Sequence, residues 1–186
     1  MDFALKPTLT GELVELRPFT VADAEAMQRI LADPEVLRLT GSTHSSAERD
    51  ELPLSELRDW YGTRSDQTDR LDLAVVDRGS GAVVGEVVLN EVDAGSLGCN
   101  FRALIGTDGR DRGLGSEAIR LLLDHAFGTI GLHRVALEVY DFNPRARHVY
   151  TRLGFRHEGT LRHALRFDGE WVDAHVMAVL ADDWPG

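Results

Sequence analysis

Two short segments carry residue types and spacings that could do chemistry. In ALIGTDGRDRGLGSEA an apolar run gives way to Arg110, Asp111, Arg112, Gly113, Leu114 and Gly115 just where a helical pattern begins. Glycines at a helix start remove side chains around N–H groups that have no partner inside the helix. Those amides, the positive end of the helix dipole and the nearby arginines together suit a phosphate or pyrophosphate. Further on, NPRARHVYTRLG offers Asn143 as N-cap, Pro144 at the first helical position and Gly154 as stop, with Tyr150 between. A phenol, with a reference pKa of about 10, stays protonated at neutral pH and can donate a hydrogen bond. The same spacing puts Ala146, Val149, Tyr150 and Leu153 on one helical face, which by itself describes packing.

Other chemistries fit less well. Gly113 to Ala118 also matches the dinucleotide fingerprint G-x-G-x-x-A, with Glu138 near the offset of its ribose-binding acid. Gly113, however, lies eight positions after Ile105, and a hairpin ends the chain, so this reading ranks second. There is no Gly-Lys-Ser/Thr for a Walker loop and no Gly-x-Ser-x-Gly or Cys/His signature for a hydrolase. His157 and His163 sit six apart on a proposed strand, about 20 Å at strand rise, too far to share an ion. Asp173 and His175 share a face and could line an acceptor pocket, but no spacing predicts a metal.

The elements that must position these segments can be read from periodicity. Leu13, Val14 and Leu16 form a first strand, followed by a helix over Ala22 to Ala32 that Asp33-Pro34 closes. Ala47 to Tyr61 reads as a second helix, interrupted or kinked by Pro53. LDLAVVD, AVVGEVVLNEV and LGCNFRALI then form an antiparallel meander. A helix over Gly113 to Phe127 leads to the strand RVALEVY, the Asn143 helix, and two strands flanking Asp168-Gly169-Glu170. The helix between LGCNFRALI and RVALEVY makes those two strands parallel in an otherwise antiparallel sheet. Such neighbours can diverge at one end, leaving backbone groups that a ligand bearing amides would satisfy.

Composition narrows the class. At 186 residues, 43% of them hydrophobic, the chain has room for one domain over 1–186 and no second. Twenty basic residues, all arginine but Lys6, stand against 31 acidic ones, a net charge of −11 that argues against nucleic acid and fits a cationic ligand. Residues 110–170 reverse the trend with ten arginines to eight acids, which places an anion site there. The single cysteine, Cys99, cannot close an internal disulfide, and a reducing cytoplasm is the expected setting. No apolar stretch reaches signal-peptide or membrane-span length, so neither export nor a membrane partner is expected.

Arg110-x-x-Gly113-x-Gly115, followed thirty residues on by Asn143-x-x-Ala146-x-x-x-Tyr150-x-x-x-Gly154-Phe155, resembles the paired signatures of the GNAT superfamily of N-acetyltransferases. ELVELRPFTVADAEAM and DGEWVDAHVMAVL look like the branch that includes the ribosomal-protein N-terminal (alanine) acetyltransferases. The resemblance implies a mixed α/β fold: a mostly antiparallel sheet of about seven strands, splayed between the fourth and fifth, with helices on both faces. It implies acetyl-CoA as co-substrate and an amine acceptor attacking directly in a ternary complex. A protein N-terminal α-amine comes first, with a small cationic amine as the other possibility, and the chain would act as monomer or homodimer. The competing class is a non-catalytic acyl-CoA-binding or sensor domain.

By the same likeness, backbone at Leu104 and Ile105 pairs with pantetheine, and Arg110, Asp111, Arg112, Gly113, Leu114 and Gly115 wrap the pyrophosphate. Asn143 contacts the cofactor, and Tyr150 is the general acid. Apart from the likeness, Arg145 and Arg147 could approach the CoA phosphates, although exposed arginines are usually solvated. Asp111 is an acid inside a phosphate loop, admissible if its carboxylate points outward. Many relatives carry a Glu near the start of the fourth strand, where this chain has Ser96, Leu97 and Gly98. Glu86 and Glu138, acids within apolar strands, are either desolvated and reactive or simply facing water, and are the side-chain candidates for a general base; a water chain, or binding of the small deprotonated fraction of amine, would also suffice.

Overall fold

Alternating apolar residues in the computed structural model, which describes residues 3–47 and 52–185, build one eight-stranded sheet. The strands are β1 (Leu9–Thr10), β2 (Val14–Pro18), β3 (Leu71–Asp77), β4 (Val83–Asp93), β5 (Gly98–Ile105), β6 (Arg134–Tyr140), β7 (Arg156–Phe167) and β8 (Glu170–Leu180). Their order is β1-β2-β3-β4-β5-β6-β8-β7, antiparallel throughout except for β5 and β6. The eighth strand is the two-residue β1, too short to leave a periodic trace, so the expected count of about seven is one low. The expected fourth and fifth strands are β5 and β6.

Helices cover both faces. On one, α4 (Leu114–His125) buries Leu114, Ala118, Ile119, Leu122 and Leu123 against Val75, Val87, Phe101 and Val135, and α5 (Pro144–Arg152) lies beside it. On the other, α1 (Ala24–Leu31), α2 (Pro34–Leu39) and α3 (Leu54–Gly62) close over Ala74 and Leu104 with Phe19, Met27, Val36 and Leu57. Pro34 does not merely end α1: Asp33 accepts from the Glu35 amide at 2.8 Å and caps α2. Pro53 likewise stands at the start of α3 rather than kinking it, since a helix's first turn needs no proline N–H. The part of the expected second helix over 48–51 lies outside the described residues.

The sheet parts between β5 and β6. Only Gly98, Cys99 and Asn100 pair across, with Arg134, Val135 and Ala136. Beyond Asn100, β5 stays bound to β4 as far as Ile105, and β6 to β8 as far as Tyr140, so the gap opens at the C-terminal ends of both strands. Crevices of this kind, outside the carboxyl ends of parallel strands, are where open sheets bind ligands. No helix among the described residues is long and apolar enough to cross a membrane.

One carboxylate ties α4 to the sheet edge. Glu117, in the first turn of α4, accepts from the backbone N–H groups of Glu12, Leu13 and Val14 at 3.0, 2.7 and 2.7 Å. Charge-assisted bonds to backbone are worth about 1.5–3 kcal/mol each at most, and the three share one group. Glu117→Ala should therefore lower unfolding free energy by about 1–3 kcal/mol in urea denaturation, with the far-ultraviolet spectrum of the folded state unchanged.

Candidate active site

The gap is built from backbone first. The Gly106 amide donates to the Val84 carbonyl at 2.8 Å, and in an antiparallel ladder bonded and non-bonded pairs alternate. With the register Gly85↔Ile105 to Asn90↔Asn100, the C=O of Phe101 and the N–H and C=O groups of Ala103 and Ile105 point at the gap, while those of Leu104 are committed to Glu86 on β4. Ile105 is thus placed as expected for a backbone contact; Leu104 supplies a side chain beside Glu86 instead. One gap-facing group is already used, the Ile105 carbonyl accepting from Arg110 Nε at 3.1 Å.

The loop between β5 and α4 brings its glycine to the helix start. Gly113 is the N-cap of α4 with φ +80, a left-handed conformation that costs other residues about 1–2 kcal/mol. A Cβ on Gly115 would lie 3.3 Å from Ile105, so the first turn of α4 rides close on the end of β5. The arginines are less free than their spacing implied. Arg110 is ion-paired with Glu35 and lies 4.0 Å from Asp33, and Arg112 pairs with the buried Asp77 at 2.9 Å and donates to the Asp108 carbonyl at 3.1 Å. These long-range partners hold the loop in shape. Asp111, at φ 58, points outward and pairs with Arg145 in the first turn of α5 at 2.7 Å, bridging the mouth of the gap.

Leu114 is buried beneath this turn. Asn143 caps α5 by accepting from the Ala146 amide at 3.1 Å, and its Nδ2 donates to the Leu39 carbonyl at 3.4 Å, tying the mouth of the gap to the end of α2. Tyr150 stands at the fork: its ring meets Phe101, the first β5 residue without a β6 partner, edge-on at 6.2 Å, and Phe155 at 5.7 Å. Its hydroxyl makes no hydrogen bond among the described residues, and burial pushes its pKa up to about 12. Arg147, on the next face of α5, turns away from the gap toward His175, 2.7 Å away.

Strand alternation puts Glu86 and Glu138 on the opposite face of the sheet, under α1 to α3, one on each side of the opening. Glu86 accepts from the Tyr61 hydroxyl at 3.4 Å. Desolvation first, then the charge of Asp72, pushes its pKa up to about 7, against partial relief from Arg102 and Arg70. Glu138 is exposed and makes no hydrogen bond or ion pair among the described residues. The roof over this face is closed at one side where the Asp168 amide donates to the His44 carbonyl at 3.0 Å and the Ser46 amide to Asp168 Oδ1 at 2.8 Å, joining the loop after α2 to the β7–β8 turn.

Sequence reasoning did not single out Tyr61 or Asp72. Asp72 carried the same signal as Glu86, an acid within an apolar strand; Tyr61 is recognisable only once α3 lies over β4. Cys99 is buried, its thiol pushed up to about 12 by desolvation, which leaves it unreactive. Among the described residues no cluster of three or more His, Cys, Asp or Glu is arranged to hold a metal ion.

A helix start dressed in amides thus stands beside a gap that bares strand backbone. The model of the acetyltransferase (GNAT) domain matches residues 14–156, and the chain belongs to that family of acetyl-CoA-dependent N-acetyltransferases. The chain is 28% identical over 167 residues to the spermidine N(1)-acetyltransferase of Escherichia coli, covering 89% of this chain and 85% of that one. It is 30% identical over 106 residues to the same organism's [ribosomal protein uS5]-alanine N-acetyltransferase, 56% of this chain and 55% of that one. The fold superposes with a TM-score of 0.82 on the spermidine N-acetyltransferase of Vibrio cholerae solved with CoA and spermine, at 22% identity, 95% of this chain and all of that one.

Gly113→Ala should cost about 1–2 kcal/mol of stability and also weaken CoA binding measured by calorimetry, because the strain falls on the amides at the start of α4. Gly131→Ala, at φ +78 in open space beyond the far end of that helix, should cost similar stability and leave CoA affinity unchanged.

Proposed function

We propose that the chain acetylates a cationic primary amine by direct attack within a ternary complex, with Glu86 as general base and Tyr150 as hydrogen-bond donor to the departing sulfur. The observation that carries this reading is the placement of those two groups on opposite faces of one gap, the phenol unbonded at its apex and the carboxyl held near neutrality beside it.

Acetyl-CoA brings the acetyl group as an activated thioester, and the residues present fit it. Gap-facing amides on Ala103 and Ile105 offer a pantetheine arm the pairing that β6 withholds. The amides of Gly113 to Gly115, at the positive end of α4, offer the diphosphate donors that Arg110 and Arg112, already paired with acids, supply only in part. Asn143 holds the far lip of the gap through its cap and its bond to Leu39, and Arg145 could exchange Asp111 for a phosphate at little cost, since exposed ion pairs contribute about 0–1 kcal/mol.

An amine reaches the reaction protonated, and a carboxylate with a pKa of about 7 can take that proton at physiological pH without being permanently charged. Tyr150, pushed to about 12, remains a phenol throughout but is a weaker acid than a thiol of about 8.5. Its contribution is therefore a hydrogen bond to the sulfur as charge develops, not outright transfer of its proton. Glu138 and the protein's net charge of −11 favour an acceptor with further positive charge. A polyamine supplies that charge itself and a protein N-terminus only through neighbouring basic residues; the chain resembles an enzyme of each kind.

Acetyl-CoA-dependent thiol release assayed with spermidine and with an alanine-initiated peptide tests the reading: turnover with one of them supports it, and CoA binding without turnover for any primary amine ends it. Tyr150→Phe should lower kcat by about 10–100-fold with acetyl-CoA affinity unchanged; full turnover in that variant would remove its role. For the native protein kcat/KM should rise as pH increases through about 7, where Glu86 loses its proton. Glu86→Gln should lower kcat/KM by about 10²-fold and erase that inflection.

A further inference from the structure

Behind α5, on the side turned away from the gap, lies a cavity of about 560 Å³ lined by Arg147, Arg156, His157, His175, Phe155 and Met177. Its polar wall is a network in which one atom is asked to do two things. His175 Nε2 lies 2.6 Å from Asp141 Oδ1, a contact that requires it to carry a proton, and 2.7 Å from Arg147 Nη1, a contact that requires its lone pair. A ring nitrogen cannot donate and accept at once. When Nε2–H serves Asp141, the Arg147 donor is left facing an N–H, and Asp141 itself is 3.9 Å from Arg147, beyond hydrogen-bond reach. The remaining Arg147 donors meet no acceptor among the described residues. The other ring nitrogen, Nδ1, lies 3.3 Å from His157 Nε2 and 3.4 Å from Thr160 Oγ1, so both ring nitrogens of His175 are engaged.

We propose that this cavity is a second ligand site, in which Arg147, positioned beside the His175–Asp141 pair, holds an oxyanion, a phosphate or carboxylate group, whose apolar remainder lies on Phe155 and Met177. An oxygen placed there accepts from Arg147 and leaves Nε2–H to Asp141, which resolves the conflict. The guanidinium is the planar, multiply donating group suited to both kinds of anion. Arg156, paired with Asp183 at 2.8 Å, stands at the rim and adds positive charge. The charged and titratable groups facing His175 are Asp141 from the end of β6, Arg147 from α5 and His157 from β7. The site is separate from the acetyl-CoA gap because α5 stands between them: Ala146, Val149 and Tyr150 pack inward, whereas Arg147 and Thr151 face the cavity.

Sulfate is the probe. Calorimetry on the native protein should show saturable binding. The ring-proton resonances of His157 and His175 should move with saturation, an observation that needs no variant. Arg147→Gln should weaken binding by about tenfold or more. Titrations with inorganic phosphate and with succinate separate the two sources of oxyanion by their relative affinity. Absence of saturable binding, unchanged affinity in Arg147→Gln, or displacement of sulfate by saturating CoA, which would make the cavity part of the cofactor site, overturns the proposal.

Discussion

The rest of the molecule depends on a ladder that stops. After Asn100 and Ala136 the two parallel strands have no further bonds to each other, although each remains paired along its outer edge. Backbone donors and acceptors left in such a position must find partners, and this need turns a break in a sheet into a binding site. The break cannot be repaired by sliding β5, because β4 holds it in register. At Gly85 even a Cβ would come within 2.0 Å of the Leu104 carbonyl oxygen, so the two strands approach as closely as backbone permits. At the apex, Phe101, Phe155 and Tyr150 form a ring cluster where side chains from the two strands would otherwise have met.

Around that gap the charges are divided by role. The arginines of the loop are largely spent on carboxylates of neighbouring elements, Glu35, Asp33 and Asp77, and so serve the shape of the loop. Recognition of an anion then falls mainly to amides, which cannot be neutralised by a nearby acid and suit a protein carrying an excess of negative charge. On the opposite face the acids are arranged differently. Asp72 is buried and fixed by two bonds to Arg70 at 2.7 Å, while Glu86, beside it, has only the Tyr61 hydroxyl at 3.4 Å. Two carboxyls in one apolar layer cannot both be comfortably ionised. Glu86, the loosely held one, is driven toward neutrality.

Local signals in the sequence were accurate wherever the structure is decided locally. Arg134–Tyr140 was readable as a strand from its composition, and α5 from its cap, its proline and its terminal glycine, because each of those residues acts on backbone within a few positions. The parallel relation of β5 and β6 followed from the length of the connection between them. Local reading failed where one residue type has two local meanings. Pro34 and Pro53 were read as breaks but begin helices, and β1 exists only because Leu9 and Thr10 meet Leu16 and Glu15.

The sequence by itself determined the order of elements, the glycine-bearing turn, the capped helix that carries Tyr150 and, through the two paired signatures, the family. Tertiary structure alone decided which of the named side chains are free to act. It paired Arg110 and Arg112 with acids from the α2 cap and β3, turned Arg147 toward His175, committed the Leu104 backbone to β4, and set Glu86 against Tyr61 and Asp72. The reason is physical: a residue's type sets what it can donate, accept or ionise, but its proton affinity and its availability depend on solvent exclusion and on charges that arrive from distant parts of the chain.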